Sequence, residues 1–297
     1  MTFRRTGILA HPRRPQTAPV ARDIAALLRA RGLETWVRDQ WTEEDVRAEV
    51  SGSDLVVAIG GDGAMLHAAR ACAAAQVPVL GVNMGNLGFL TEIDDPACCA
   101  GHIDQLLAGD YWLEQRMMLR AQVLRDGLVV AGEDGLNDVV ISRKRVTATV
   151  RLEVYIDRDW TTTYTADALV IASATGSTAY ALAAGGPILP PELLNILVIP
   201  VAPHLSMGRP IVLSQGAVVD VFPASADQSP ALLSVDGRVV RALEPDEQLR
   251  VQASAHISRF VRMRDRNYFY RSLLDRLEPH IDAPQRPALP GRGLAAG

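Results

Sequence analysis

A chain that sets the apolar run LVVAI (55–59) directly ahead of GGDG (60–63) and the alanine-rich stretch MLHAARACAAA (65–75) has few ways to fold. The run is short and β-branched, as suits a strand buried on both faces, and the alanines suit a helix packed close to a sheet. The same rhythm surrounds it. GILA (7–10) precedes VARDIAALLRARG, where Val20, Ile24, Leu27 and Leu28 share one helical face and Gly32 supplies a stop. ETWV (34–37) and VPVLGV (77–82) read as further strands, and TEED (42–45) reads as a capping box that opens a short helix. This βαβ alternation predicts an α/β N-terminal domain over residues 1–112, with a parallel, doubly wound sheet.

Beyond Trp112 the pattern changes to short alternating runs such as RLEVYI (151–156), and Asp126-Gly127, Asp134-Gly135 and Asp236-Gly237 occupy plausible hairpin turns. Residues 113–258 are therefore expected to form an all-β domain, interrupted by one short helix near 177–184. The closing RDRNYFYRSLLDRLEPHI places Tyr270, Leu273, Leu274 and Leu277 at helical spacing, which marks 259–281 as a separate C-terminal segment. The Pro/Gly/Ala-rich residues 282–297 are expected to be disordered.

Composition narrows the partners. A net charge of −4 and a pI near 5.9 provide no basic footprint for nucleic acid, so a small ligand is expected. At 48% hydrophobic and 22% charged residues the chain can bury a core without disulfides or a structural metal. Its three cysteines, Cys72, Cys98 and Cys99, form no C-x-x-C pair, as suits a reducing compartment. The N-terminus lacks a secretory pattern, and LLNILVIPVAP (193–203) falls well short of the ~20 residues that span a bilayer. The expectation is a cytoplasmic protein with no membrane segment.

Within GGDG, Gly60, Gly61 and Gly63 allow a sharp turn and a close approach of backbone to phosphate at a helix N-terminus. Asp62 would repel that phosphate unless it has a task, such as accepting a proton from an attacking hydroxyl or holding a divalent cation. The plainer reading is a helix N-cap. Thr175, Gly176, Ser177 and Thr178 form a second site at a strand-to-helix turn, able to bind phosphate or ribose or simply to shape a Ser/Thr-rich turn. Asn137 and Asp138 precede another β-rich run, where they could read a nucleoside or only make a turn, and Asp167 ahead of ALVIAS shares that ambiguity. The six histidines are scattered, so no metal-ligand set is expected.

Taken in order, VVAIGGDGAML, GVNMGNLGFLTEI, LNDVVISR, DALVIASATGSTAYALAAGGPI, PVAPHLSMGRPIVL and SVDGR resemble the NAD kinases from about residue 54 to 240, with a fainter match at NYFYRSL. The resemblance implies transfer of the γ-phosphate of ATP, or of polyphosphate, to the 2′-hydroxyl of the adenosine ribose of NAD, with a divalent metal, Mg²⁺, carried by ATP. It implies that Asp62 accepts the proton beside Gly63, and that Asn137, Asp138 and Asp167 bind NAD together with Thr178, Ala179, Tyr180, Ala181, Leu182 and Ala183. It further implies a central β-sandwich, a C-terminal segment returning to the first domain, a site in the cleft between domains, and a homo-oligomer. Ala64 and Ala174 depart from the family pattern, which usually has a polar residue after GGDG and proline before TGST; Asn86 and Leu90 depart more mildly. A lipid or sugar kinase sharing GGDG, or a non-catalytic NAD-binding sensor, are the alternative readings.

Overall fold

The computed structural model describes residues 3–85, 88–144, 148–204, 206–224, 231–270 and 273. Its first part alternates β1 (Arg5–Leu9), α1 (Thr17–Ala30), β2 (Glu34–Arg38), α2 (Arg47–Ser51), β3 (Leu55–Ile59), α3 (Asp62–Ala73), β4 (Val79–Val82) and α4 (Cys99–Leu107). The four strands are parallel in the order β2-β1-β3-β4. Every residue of β3 is buried because helices cover both faces of the sheet. Ile24 and Leu28 of α1 and Ile103 and Leu106 of α4 join one core cluster; Val50 of α2 and Met65, Ala68 and Cys72 of α3 join the other. The sheet is thus doubly wound, as its pattern predicted. The TEED box forms as well: the Asp45 N–H donates to Thr42 Oγ1 (3.2 Å) and the Thr42 N–H to Asp45 Oδ2 (3.0 Å), ahead of α2.

The second part contains β5 (Trp112–Arg125), β6 (Leu128–Gly135), β7 (Asp138–Arg143), β8 (Val150–Ile156), β9 (Asp159–Ala166), β10 (Ala168–Ser173), α5 (Tyr180–Ala183), β11 (Asn195–Val201), β12 (Ile211–Ser214), β13 (Val219–Pro223), β14 (Ala231–Val235), β15 (Arg238–Leu243) and β16 (Gln248–Arg262). One antiparallel sheet runs β12-β11-β10-β7-β14-β15. It packs on a second antiparallel group, β13, β8, β9, β5, β6 and β16, through Leu119, Ile141, Leu152, Ile171, Val198, Val221 and Leu249. This is a β-sandwich. Strand β10 is buried on both faces: Leu169 and Ile171 enter the sandwich core, while Val170 and Ala172 pack with Ala181 of α5.

The two parts share a strand. β16 pairs antiparallel with β5 and β13 and, at Phe260 opposite Val79, parallel with β4, so the doubly wound sheet runs without a break into the sandwich. The all-β region was expected to close near Ser258, but β16 runs through that position to Arg262. Hairpins form at Asp126-Gly127 (φ 52° and 76°) and Asp236-Gly237 (φ 48° and 74°), in the left-handed conformation that matches strand twist. A third hairpin, unanticipated, turns at Asp157-Arg158. Asp134-Gly135 makes no turn, because Gly135 is a residue of β6 and the Asp134 carboxylate accepts from Ser254 Oγ (3.1 Å) on β16. The single helix expected near 177–184 is a 3₁₀ turn over Thr175–Thr178 followed by α5, interrupted at the non-helical Ala179. Phe269 returns to the first part, where it packs on Phe89 with ring centroids 6.2 Å apart, while Tyr268 hydrogen-bonds with Glu114 and Arg116 of β5. Leu274, Leu277 and the tail expected to be disordered lie outside the described residues.

Because Ile171 is fully buried in the sandwich core, Ile171→Ala should lower the unfolding free energy by about 2–5 kcal/mol. Urea denaturation followed by circular dichroism measures this loss.

Candidate functional site

Strand β3 delivers its carboxyl end to Gly60, whose φ of 150° and close neighbour leave little room for a side chain: a Cβ there would lie 2.7 Å from the Ala64 Cβ. Gly61 is the extended N-cap and makes no side-chain bond, so Asp62 begins α3 as its first helical residue. Asp62 does not cap its own helix. Its Oδ2 accepts from the Phe89 N–H (2.8 Å) and its Oδ1 from the Leu90 N–H (3.0 Å), across the gap to the loop after β4. A Cβ on Gly88 would collide with this carboxylate, so the glycine of NLGFL leaves space for Asp62.

On its other side the GGDG turn opens to a cleft of about 630 Å³. Gly63, Ala64 and His67 line it, with His11, Arg13, Trp41 and Arg47 from the first part and Glu133 and Arg238 from the sandwich. Such a volume suits a small-molecule ligand. Burial, and then the charge of Arg14, lower the pKa of His11 and favour its neutral form. Burial alone would raise the Glu43 carboxyl, but hydrogen bonds with His67 and Arg70 and the Arg70 charge outweigh it and hold Glu43 at about 2.

Arg70, two turns along α3, ties this cleft to the Asn137-Asp138 pair. Its guanidinium donates to Glu43 Oε1 (2.6 Å) and to Asp236 Oδ2 (2.5 Å). The fully buried Asp236 carboxylate also accepts the backbone N–H groups of Leu136 (3.0 Å), Asn137 (2.7 Å) and Asp138 (3.2 Å). Leu136 itself packs with Ala64, Met65 and Leu90, which brings Asn137 and Asp138 to the flank of α3. Asp138 is buried, and this desolvation together with the negative charge of Asp236 pushes its carboxyl up to about 7.

The TGST turn meets the same region through Asn137. A Cβ on Gly176 would overlap the Asn137 carbonyl, so the two backbones touch there. Ser173 N–H donates to that carbonyl (2.9 Å) and Ser173 Oγ to the Leu136 carbonyl (2.5 Å). Ser177 is fully buried, with its hydroxyl donating to the Ala174 carbonyl (2.7 Å) and accepting from the Leu189 N–H (2.9 Å). Thr175 Oγ1 accepts from Arg116 (3.2 Å). Tyr180 and Ala183 are exposed, Thr178, Ala179 and Leu182 half-buried, and Ala181 faces the core. Asp167 sits apart from this cluster: it precedes β10, roughly 20 Å of strand from the TGST end at 3.3 Å per residue, and pairs with Arg143 (2.6 Å).

Three comparisons bear on this arrangement. Family models described as the ATP-NAD kinase N-terminal domain and C-terminal domain match residues 6–111 and 136–263. The chain belongs to the ATP-NAD kinase family. It is 38% identical over 275 residues to an NAD kinase of Syntrophotalea carbinolica, covering 90% of this chain and 96% of that protein. The fold is similar to that of yeast NADH kinase complexed with NADH (TM-score 0.84, 23% identity, 97% of this chain and 91% of that one). It is also similar to an NAD kinase from Archaeoglobus fulgidus in complex with ATP (TM-score 0.71, 20% identity, 91% and 97%). The chain is a kinase, built as an α/β sheet joined to a β-sandwich.

Sequence patterns do not mark several residues that the structure brings to this candidate site. Arg70 stands out only as the lone arginine of an alanine-rich helix, and Asp236 has only the mark of a hairpin turn although it organises the Asn137-Asp138 backbone. Glu114, Arg116 and Arg262 gave one signal, namely charges on the same face of a strand as buried apolar residues.

The raised Asp138 carboxyl makes a measurable prediction. Its ordinary value is 3.8 and its folded value about 7, so the folded state holds the proton more tightly. The stability tied to that proton is complete below about pH 4 and is lost as pH rises to about 7. Urea unfolding at pH 5 and pH 8 should show the wild type losing stability relative to Asp138→Asn as pH rises.

Proposed function

We propose that this chain transfers the γ-phosphate of ATP to the 2′-hydroxyl of the adenosine ribose of NAD, forming NADP, with Asp62 as the proton acceptor. The observation that carries this reading is the Asp62 carboxylate, held by two backbone N–H groups on one side of a glycine turn whose other side opens to a cleft. Each carboxylate oxygen accepts one of these bonds and keeps a second lone pair for the ribose hydroxyl. As the new P–O bond forms, the hydroxyl proton passes to Asp62 and the ADP oxygen departs with the electrons of the breaking P–O bond. A carboxylate is a weak base, so it accepts the proton late; the rest of the barrier is met by alignment and charge neutralisation.

The dinucleotide is placed against Asn137, Asp138 and the segment Thr178–Ala183. The half-buried Asn137 amide can donate and accept at a base edge, and a carboxyl near 7, as at Asp138, can do both as well. Gly60, Gly61, Gly63, Thr175 and Gly176 shape the phosphate side, while Ser177 serves by holding the turn to Leu189. The donor is placed in the cleft, its triphosphate near the N-terminus of α3 with Arg13 and Arg47, its base against Pro12 and Trp41. Ala64 supplies no hydroxyl there, so backbone and arginines carry the phosphate contacts. The ATP in the A. fulgidus NAD kinase structure and the NADH in the yeast NADH kinase structure support these ligand classes.

Among the described residues no three His, Cys, Asp or Glu side chains converge as a metal-binding group. The cation proposed is Mg²⁺, carried with ATP and held mainly by the triphosphate oxygens, where it would neutralise phosphate charge. We place the enzyme in the cytoplasm; no described helix is long and apolar enough to cross a membrane. A homo-oligomer is supported by the exposed Leu128, Val129 and Val130 on β6, a strand whose only partner among the described residues is β5.

Protein supplied with NAD, ATP and Mg²⁺ should form NADP, detected with an NADP-specific dehydrogenase. Asp62→Asn should lower kcat by about 10²-fold or more while leaving NAD affinity nearly unchanged. Wild-type turnover by this variant would remove Asp62 from the role of base, and product formed only from a lipid or a sugar would overturn the substrate.

A further inference from the structure

We propose that Arg262 is a positioning residue that aligns Asp62 with the TGST turn. The inference rests on the reading of Asp62 as proton acceptor and goes beyond it by naming what holds that acceptor in place. Arg262 lies near the end of β16, far along the chain from GGDG, and its side chain is completely buried. Nη1 donates to the carbonyls of Leu90 (3.0 Å) and Thr91 (3.4 Å). Leu90 is thus gripped at both ends, its carbonyl by Arg262 and its N–H by Asp62 Oδ1 (3.0 Å).

The other edge of the guanidinium reaches the second half of the site. Arg262 Nε donates to Glu114 Oε2 (2.8 Å), and Arg116 Nη2 donates to the same oxygen (2.9 Å). Arg116 Nη1 then donates to Thr175 Oγ1 (3.2 Å). One continuous path runs Asp62, Leu90, Arg262, Glu114, Arg116, Thr175, every link a hydrogen bond. The Phe260 and Tyr268 rings lie 5.3 and 5.0 Å from the Arg262 guanidinium carbon and fix its plane.

Stability is a poor reason for such a cluster. Well-packed apolar residues of similar volume often stabilise a protein as well as a buried ion pair does, and Arg262 Nη2 has no hydrogen-bond partner among the described residues. What apolar side chains cannot do is hold two loops in register at a hydrogen bond's tolerance. Misplacement of a catalytic group by about 1 Å can cost about 10²-fold in rate, so a device that sets Leu90 also sets the rate available to Asp62.

The test is a double-mutant cycle between Arg262→Lys and Asp62→Asn, measured as NADP formation in the full-length protein. Lysine keeps the charge beside Glu114, but a single ammonium lacks the planar fork that serves Glu114 and the Leu90 and Thr91 carbonyls together. Arg262→Lys should lower kcat about tenfold or more with the KM for NAD within about threefold, and should change the residual rate of Asp62→Asn by less than about twofold. An unaltered kcat, or the same fold-loss in both backgrounds, would overturn the positioning role. Glu114→Gln, which keeps the side-chain shape, runs the same cycle with the same two outcomes should the lysine variant unfold. The Asp62→Asn variant alone decides the base assignment, so its failure is read separately from that of Arg262.

Discussion

A guanidinium taken wholly out of water must be met by carboxylates and carbonyls, and Arg262 is met by residues from both parts of the fold. Glu114 comes from the first strand of the sandwich, and Leu90 and Thr91 come from the loop beyond the last parallel strand. Burial would release the Arg262 proton, but Tyr268, Glu114 and Glu92 raise its pKa further above the ordinary arginine value. Glu114 shows the complementary balance: burial pushes it up, and the charges of Arg116 and Arg262 bring it below the usual carboxylate range. Removing one member would leave an uncompensated buried charge, which is why the two halves of the chain are held to one relative placement.

The second electrostatic arrangement is unbalanced by design of its geometry. Asp236 sits buried with three backbone N–H groups and Arg70 around its carboxylate. Asp138, next to it, is pushed up to about 7 by burial and by the negative charge of Asp236. Asp236 shapes the backbone of residues 136–138 through these bonds, and Asp138 belongs to the proposed dinucleotide site.

Much of the architecture was legible because periodicity reports burial directly. LVVAI reads as a strand covered on both faces and is one, and the glycines of GGDG read as a turn against phosphate and leave the GGDG turn bordering a cleft. Reading failed where a local pattern has two outcomes of similar energy. Asp134-Gly135 has the composition of a hairpin turn, yet β6 continues through Gly135 because β5 extends opposite it. Ser177 looks like a phosphate-binding hydroxyl, but its position one turn inside the 3₁₀ segment turns it toward Leu189. Asp62 is open between helix cap and functional acid when read from GGDG alone; its carboxylate bonds to the 89–90 backbone of the loop after β4, a contact that spacing within GGDG cannot reveal.

By itself the sequence determined the element order, the parallel start, the all-β continuation and the family motifs, since each of these depends on residues close together in the chain. The tertiary structure alone decided which charges meet. Arg70 with Asp236, and Arg262 with Glu114 and Leu90, are 166, 148 and 172 residues apart, and no periodicity links positions so distant. The Arg262 pairings follow from β16 running beside both β4 and β5, which removes the arginine from water among these carboxylates and carbonyls, while Asp236 reaches Arg70 from the hairpin between β14 and β15.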